Sequence, residues 1–293
     1  MTGEPQATDP ETLQRPDIRP DPVLPPPFGQ AASLGGMVVL FIMMVLGLML
    51  VGGVAQFTMG FAANAMLTEA LVVLAPIVYL LRRQRPTSAL RLQEPPSSIS
   101  LSWALLGVLS LAVLVAEFSY WSDQVFPMPE AIKAAYLEAV TADSLPELLL
   151  LLVAAGLTPG VCEEVAFRGF FQRIGIQRFG RHGGIALAAG LFAVMHLDPW
   201  HLVALYAIGT YLGYVFAWTE NLWIPMAAHA TNNAASVLLL YLAPEASLSR
   251  MSEAPPRWLV PLCLAAFILA LYRLRGSARP AASAATDESP RVL

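Results

Sequence analysis

Acidic, imidazole and carboxamide side chains recur at fixed spacings inside long apolar stretches of this sequence. They form three short motifs, Glu163-Glu164-Val-Ala-Phe-Arg168, Phe192-Ala-Val-Met-His196 and His229-Ala-Thr-Asn-Asn233. A charge at the centre of a membrane helix costs about 2.5–3.5 kcal/mol on insertion scales, so such residues are expected to have a partner or a function. Carboxylates and imidazoles take up protons, and imidazole and amide N–H groups donate to developing negative charge. The motifs are therefore the candidate site.

Helical spacing separates the roles of the two adjacent glutamates. Neighbouring positions on an α-helix differ by about 100°, so Glu163 and Glu164 cannot share a face. Glu164 and Arg168 are an i,i+4 pair in the favourable order and can neutralise each other. Glu163 then has no local partner, which favours a chemical role for it. The alternative is that all three belong to a buried structural ion-pair network.

The two histidines have a predicted depth similar to that of Glu163. Phe192 and His196 share a helix face, and so do His229 and Asn233, because each pair is spaced i,i+4. Counted from the cytoplasmic ends of their segments, the polar groups lie about 12–20 Å deep, near the middle of a core about 30 Å thick. Each histidine alone could instead hydrogen-bond a neighbouring helix.

Prolines four residues before two of the motifs indicate irregular backbone. Pro159 precedes Glu163, and Pro225 precedes His229. A proline in a helix leaves a carbonyl without its donor and kinks the axis, which membranes tolerate where the backbone lines a cavity. We therefore expect a polar, water-accessible cavity between the fourth, fifth and seventh apolar segments. An ordinary packing kink is the alternative at either proline.

The composition identifies the kind of protein that positions these residues. Of 293 residues, 56% are hydrophobic and 13% are charged, about half the usual charged share of roughly a quarter. The mean hydropathy is +0.59. These values exclude a soluble enzyme and predict an all-α integral membrane protein in contact with membrane lipid. The formal net charge of −4 argues against a nucleic-acid partner.

About eight apolar segments are long enough to be transmembrane helices. They span approximately 34–55, 64–81, 101–120, 146–171, 183–199, 202–219, 222–243 and 258–274. Arginines cluster after the second, fourth and last segments, whereas the loop at 121–145 is mostly acidic. By the positive-inside rule, this pattern predicts a multi-pass protein of the cell membrane with both termini in the cytoplasm.

The two ends of the chain are predicted to lie outside the membrane domain. Residues 1–32 contain eight prolines among charged residues, a composition that predicts a disordered cytoplasmic tail. Residues 276–293 are predicted to be a flexible C-terminal tail. The polytopic domain occupies 33–275, and its functional core lies at about 145–240.

The order and spacing of the three motifs resemble the CPBP family of intramembrane proteases. This family includes the CAAX prenyl endopeptidases and bacterial bacteriocin-processing and self-immunity proteins. The resemblance covers about residues 145–240 and includes Pro159 before the glutamates and Gly169 after the arginine. It implies an endopeptidase that acts on a membrane-associated protein or peptide, including a lipid-modified one.

The resemblance also implies a role for each site residue. Glu163 and His196 would activate a water, and His229 and Asn233 would stabilise the oxyanion formed when that water attacks a peptide carbonyl. A single oxyanion donor is worth about 3 kcal/mol of barrier. The i,i+4 pair next to Glu163 would support the site.

Zinc is the alternative means of activating water. Glu163, His196 and His229 form a His₂Glu set, a combination that holds catalytic zinc in other proteins. The sequence has no His-Glu-x-x-His motif, and a zinc-bound Glu163 would leave the reaction in need of another base. The resemblance favours a metal-free, glutamate-dependent site without a cofactor; a zinc-dependent metalloendopeptidase is the alternative.

Two functions of other classes use the same residues. The first is a non-proteolytic membrane binding or immunity protein that holds a partner in the same cavity. The second is a small transporter in which Glu163 and the histidines carry protons. The sequence lacks the inverted repeat of broken helices typical of such transporters, which argues against the second.

Overall fold

A computed structural model describes residues 33–84, 90–92, 94–242 and 253–277 of the chain. The predicted N-terminal tail and all but the first two residues of the predicted C-terminal tail lie outside these ranges. Every regular element within the described ranges is helical. In order, the elements are α1 Leu34–Thr58, α2 61–84, α3 Ser98–Val125, α4 Glu130–Val140, α5 145–179, α6 181–195, α7 Leu202–Thr219, α8 Trp223–Leu242 and α9 Leu259–Gly276.

The helices confirm an all-α integral membrane protein. Six stretches of the described chain are long and apolar enough to cross a membrane. Each of the eight predicted segments lies in a helix, yet α5 and α6 form one stretch, Leu145–Met195. Helix α8 is not among the six, because its histidine and two asparagines lower its hydropathy. Helix α4 is an additional short helix in the predicted acidic loop.

Glycine forms the sharp turn between α5 and α6. Gly180 has φ 71° and ψ 177°, a conformation that glycine adopts without the strain a side chain would bring. A Cβ atom on Gly175 would lie 2.9 Å from the Cα of Gly184, so the two legs meet backbone to backbone. The turn brings α6 back against α5, so the motif ending at His196 comes next to the glutamate motif.

Irregular turns surround the glutamates, as the proline positions predict. Helix α5 has π-helical stretches at Leu152–Leu157 and Phe167–Phe171, on either side of the α-helical Thr158–Ala166. Helix α2 has a third at Glu69–Leu74. Single-turn π-helices are frequent at functional sites because they rotate side chains away from the regular helical face.

Aromatic packing fixes the centre of the bundle. Phe167 and Phe171 of α5 are fully buried, and Phe192 of α6 meets Phe167 edge to face with ring centroids 5.3 Å apart. Phe41 of α1 closes the cluster against Phe171 at 6.1 Å. Around this core, many large apolar side chains of α1, α3 and α9 are exposed, as expected for helices that face lipid tails.

Candidate active site

Glu164 is the centre of a buried polar assembly that joins three helices. Its side chain is 0% exposed, and Oε1 accepts hydrogen bonds from Arg168 Nη1 at 2.8 Å and from His229 Nδ1 at 2.9 Å. Arg168 also donates through Nη2 to the carbonyl of Gly209 at 2.8 Å. The i,i+4 pair read from the sequence is thus present, and it also holds α7 and α8 against α5.

The Arg168 guanidinium and both imidazoles pack around a single aromatic ring, that of Phe192. The guanidinium carbon of Arg168 lies 5.0 Å from the ring centre of Phe192. The ring of His196 lies 4.7 Å from Phe192 and that of His229 lies 5.7 Å from it. The two motif histidines therefore lie against the same phenyl ring, although they come from different helices.

His196 lies at the end of its helix, not within it as the predicted segment 183–199 implied. Helix α6 ends at Met195, and His196 is the exposed C-cap residue, followed by Leu197 at φ 54°. The predicted segment continued to residue 199 because the apolar pattern alone does not show this early end. His196 Nδ1 bonds to the carbonyl of Phe192 at 2.8 Å; that oxygen can only accept, so Nδ1 carries the proton and Nε2 is free.

Glu163 has a partner that the sequence analysis did not name. Glu163 is only 5% exposed, and its carboxyl group lies within hydrogen-bond distance of that of Glu69 in α2. The structure gives Glu163 no hydrogen bond to His196. A signal for Glu69 was available, because it is the sole charged residue in the predicted segment 64–81 and an acid in a span calls for an explanation.

Asn233 satisfies a carbonyl that Pro159 leaves free. Proline has no N–H, so the carbonyl of Ala155, four residues earlier, lacks its usual helical donor. Asn233 Nδ2 donates to this carbonyl at 3.1 Å, and its Oδ1 accepts from Asn232 at 3.2 Å. One amide N–H of Asn233 thus has a structural role, and the other is available for an oxyanion.

The predicted zinc ligands do not gather into a ligand set. In the described part of the chain, no three His, Cys, Asp or Glu side chains lie close enough together to hold a metal ion. Glu163 instead faces Glu69. As they are placed here, Glu163, His196 and His229 therefore do not form a His₂Glu ligand set.

The site is closed on the side of the glutamates. His229 is 3% exposed, similar to Glu163, and only His196 is open. A cavity of about 390 Å³ lies elsewhere, among Arg91, Glu220 and neighbouring polar residues at the ends of α3, α7 and α9. Glu164, Arg168 and His229 contact one another directly, and the cavity between the fourth, fifth and seventh predicted segments stays a prediction.

A second polar group lies where α3 and α6 end, and we call it the Asp198 cluster (Asp123, Lys133, Asp198 and His201). Lys133 Nζ lies 3.0 Å from Asp123 Oδ2, and His201 Nδ1 lies 2.7 Å from Asp198 Oδ2. Trp200 stacks on Phe126 at 6.0 Å. The hydrogen bond to Asp123 raises the pKa of Lys133. These contacts join α3, α4 and the loop before α7.

The fold and the motif geometry define a polytopic membrane protein with a buried acid–imidazole site. Residues 145–235 match the family model of Rce1-like proteins, described as type II CAAX prenyl endopeptidase Rce1-like. This match includes all three motifs and confirms the resemblance to the CPBP protease family.

Two curated relatives of Bacillus subtilis (strain 168) are similar to this chain. "Putative membrane peptidase YdiL" is 21% identical over 164 residues, which cover 56% of this chain and 66% of that protein. "Uncharacterized protein YpbD" is 33% identical over 90 residues, 29% of this chain and 41% of that protein. The chain thus spans less than two thirds of the length of either relative. No solved structure matches.

Proposed function

We propose that this protein is an intramembrane endopeptidase of the CAAX-protease type that hydrolyses a peptide bond in a membrane-associated protein or peptide, including a lipid-modified one. The observation that carries the proposal is a buried carboxyl group, Glu163, beside a second glutamate that is held by Arg168 and His229. This arrangement lies within the segment that matches the family model.

Water activation is assigned to Glu163 and His196. A carboxylate can accept a proton from water, and a histidine can relay it. His196 supports this role because Nδ1–H bonds to the Phe192 carbonyl, which leaves Nε2 as the proton acceptor. His196 is exposed and Glu163 is enclosed, so the reacting water must lie between the open and closed parts of the site.

Oxyanion stabilisation is assigned to His229 and Asn233. His229 already donates through Nδ1 to Glu164, so a hydrogen bond from Nε2 to the oxyanion requires the doubly protonated ring. Glu164 lies where it would stabilise that cation, in the way a buried carboxylate orients a catalytic histidine. The second N–H of Asn233 is the other donor.

The test is cleavage of a panel of membrane peptides by the purified full chain in lipid vesicles. Replacing Glu163 or His196 by Ala is expected to lower kcat at least about 100-fold, because general acid–base catalysis contributes that much or more. His182→Ala is the matched control, since His182 is an exposed imidazole bonded to Tyr214 away from the site. Wild-type rates in both site variants would refute the assignment.

Two further measurements separate the alternatives. Elemental analysis of active protein, with and without a chelator, distinguishes a metal-free site from a zinc-dependent metalloendopeptidase; we expect activity to survive chelation. Glu163→Gln keeps the shape of the side chain and removes its basicity. A non-proteolytic binding or immunity protein would retain its cellular phenotype in this variant, whereas the protease would lose it.

A further inference from the structure

The carboxyl group of Glu69 reaches the site from a helix that carries none of the three motifs. Glu69 begins the π-helical stretch Glu69–Leu74 of α2, which packs against Thr158–Ala166 of α5. Val72 and Val73 on the same stretch are buried, so this side of α2 faces the bundle. Glu69 thus approaches Glu163 because the helix packing directs it there.

Charge balance in this region is uneven. The carboxyl groups of Glu163 and Glu164 lie near the Arg168 guanidinium, and that of Glu69 faces Glu163. Arg168 uses one nitrogen on Glu164 and the other on a backbone carbonyl. One carboxylate is therefore neutralised by direct contact, and the other two face each other.

Two ionised carboxylates within hydrogen-bond distance repel strongly in a medium without water. A carboxylate has no donor, so a hydrogen bond between the two requires one of them to be protonated. Glu69 and Glu163 each have an enclosed Oε2 atom without a donor among the described residues. A single shared proton explains the close approach and supplies the donor that these oxygens lack.

We propose that Glu69 is a positioning residue for Glu163, holding it by a carboxyl–carboxylate hydrogen bond with one proton between the two groups. This inference rests on the proposed function, because it concerns how the base of that reaction is oriented. The hydrogen bond fixes the rotamer of Glu163 while the pair keeps one negative charge, so Glu163 can still accept a proton.

The Glu69–Glu163 pair takes up and returns the same number of protons during the reaction. When water attacks the peptide carbon, its oxygen forms the new C–O bond and one of its protons moves to Glu163, which makes the pair neutral. When the C–N bond breaks, Glu163 returns that proton to the departing amine. The pair is then singly protonated, as at the start, and no other reactant is consumed.

The experiment compares two replacements of Glu69 with a matched acid elsewhere in the membrane domain. Glu69→Leu removes the donor, whereas Glu69→Gln retains an N–H that can donate to Glu163. Glu117→Leu is the control, because Glu117 is a partly buried acid of α3 that accepts a hydrogen bond from Trp121 Nε1 at 2.8 Å. Cleavage of a membrane peptide is measured as kcat and KM for the full chain in vesicles.

A positioning role predicts a selective loss of kcat. Glu69→Leu is expected to lower kcat about 10–100-fold, the range found for groups that orient a reacting ligand, with KM within about twofold of wild type. Glu69→Gln is expected to recover most of the loss, and Glu117→Leu to remain within about twofold of wild type. Thermal unfolding identifies any variant that has lost its fold.

An infrared measurement reports the shared proton independently of turnover and of folding yield. The wild-type protein at neutral pH is expected to show the carbonyl stretch of a protonated carboxylic acid, which Glu69→Gln removes and Glu117→Leu retains. Wild-type kcat in Glu69→Leu, or a Glu69→Gln variant as inactive as Glu69→Leu, would overturn the inference while Glu163→Ala is inactive. If Glu163→Ala were active, the proposed function itself would fail instead.

Discussion

Two groups of charged residues in this molecule contain acidic, basic and imidazole side chains but differ in how the acids are paired. In the Asp198 cluster, Lys133 pairs with Asp123 and His201 pairs with Asp198. The remaining carboxylate oxygens accept backbone N–H groups; Met128 donates to Asp123 at 2.9 Å, for example. In the bundle, Arg168 and His229 both contact Glu164, whereas the carboxyl groups of Glu69 and Glu163 face each other.

The difference separates structural charges from charges available for chemistry. A carboxylate that has its own basic partner joins loops and gains little from changing its protonation. Two acids that face each other must hold a proton or a cation between them, so they can exchange protons with a substrate. The comparison predicts that substitutions in the bundle cluster change activity and folding strongly, whereas those in the Asp198 cluster have small effects on stability.

The largest expected effect is that of Arg168→Met. The substitution leaves Glu164 buried without its cation and the carbonyl of Gly209 without its donor. Breaking a buried ion pair in this way costs about 3–5 kcal/mol. We expect loss of folded protein in a detergent unfolding assay and partial recovery when Glu164→Gln is added. A wild-type unfolding midpoint for Arg168→Met would contradict the central role of this pair.

An intermediate effect is expected from Gly160→Ala, which tests the contact between α5 and α8. The new Cβ would lie 2.9 Å from Cβ of Ala230 and 3.0 Å from its backbone nitrogen. Such overpacking costs about 1–3 kcal/mol and moves Glu163 relative to His229, so cleavage should fall together with stability. Gly190→Ala is the matched control in α6, because no atom lies within 4 Å of its added Cβ; equal effects of both would refute the contact.

The smallest effect is expected from Asp198→Asn. Burial alone would raise the pKa of Asp198, but the hydrogen bond and charge of His201 lower it below its ordinary value of 3.8. The ionised carboxylate therefore stabilises the folded state above that value, and this contribution is lost as the pH falls through the lowered pKa. Partly exposed pairs contribute about 0.2–1 kcal/mol.

Unfolding midpoints of the wild type and Asp198→Asn, measured across a pH series, check this prediction. The variant is expected to be slightly less stable at neutral pH and equal to the wild type at the acidic end. Peptide cleavage is expected to be unchanged at neutral pH. A large loss of cleavage would show that the Asp198 cluster is not merely structural.

Local spacing predicted the contacts that lie within one helix, and it could not predict those between helices. The Glu164–Arg168 pair follows from four residues of helical rise, and the structure contains it. Glu69 lies in a different helix and belongs to no motif, so its approach to Glu163 depends on how α2 packs. The partner of Asn233 depends in the same way on the approach of α8 to α5.

The apolar pattern also did not predict where the helices end. The hydrophobic residues around His196 continue past Met195, but the backbone leaves the helix there. The same pattern does not show that a sharp turn at Gly180 joins α5 to α6. Hydropathy therefore predicted which residues are in the membrane domain, and it did not give the depth of every side chain.

The hydrogen bond from Arg168 to Gly209 has a consequence for biosynthesis. The donor lies 41 residues before the acceptor in the sequence, so Arg168 is translated before any residue of α7. Until α7 packs against α5, Glu164 is the local counter-ion that offsets the charge of this guanidinium in the bilayer. The Glu164–Arg168 ion pair can thus form within α5 alone, before the contact with Gly209, which requires α7.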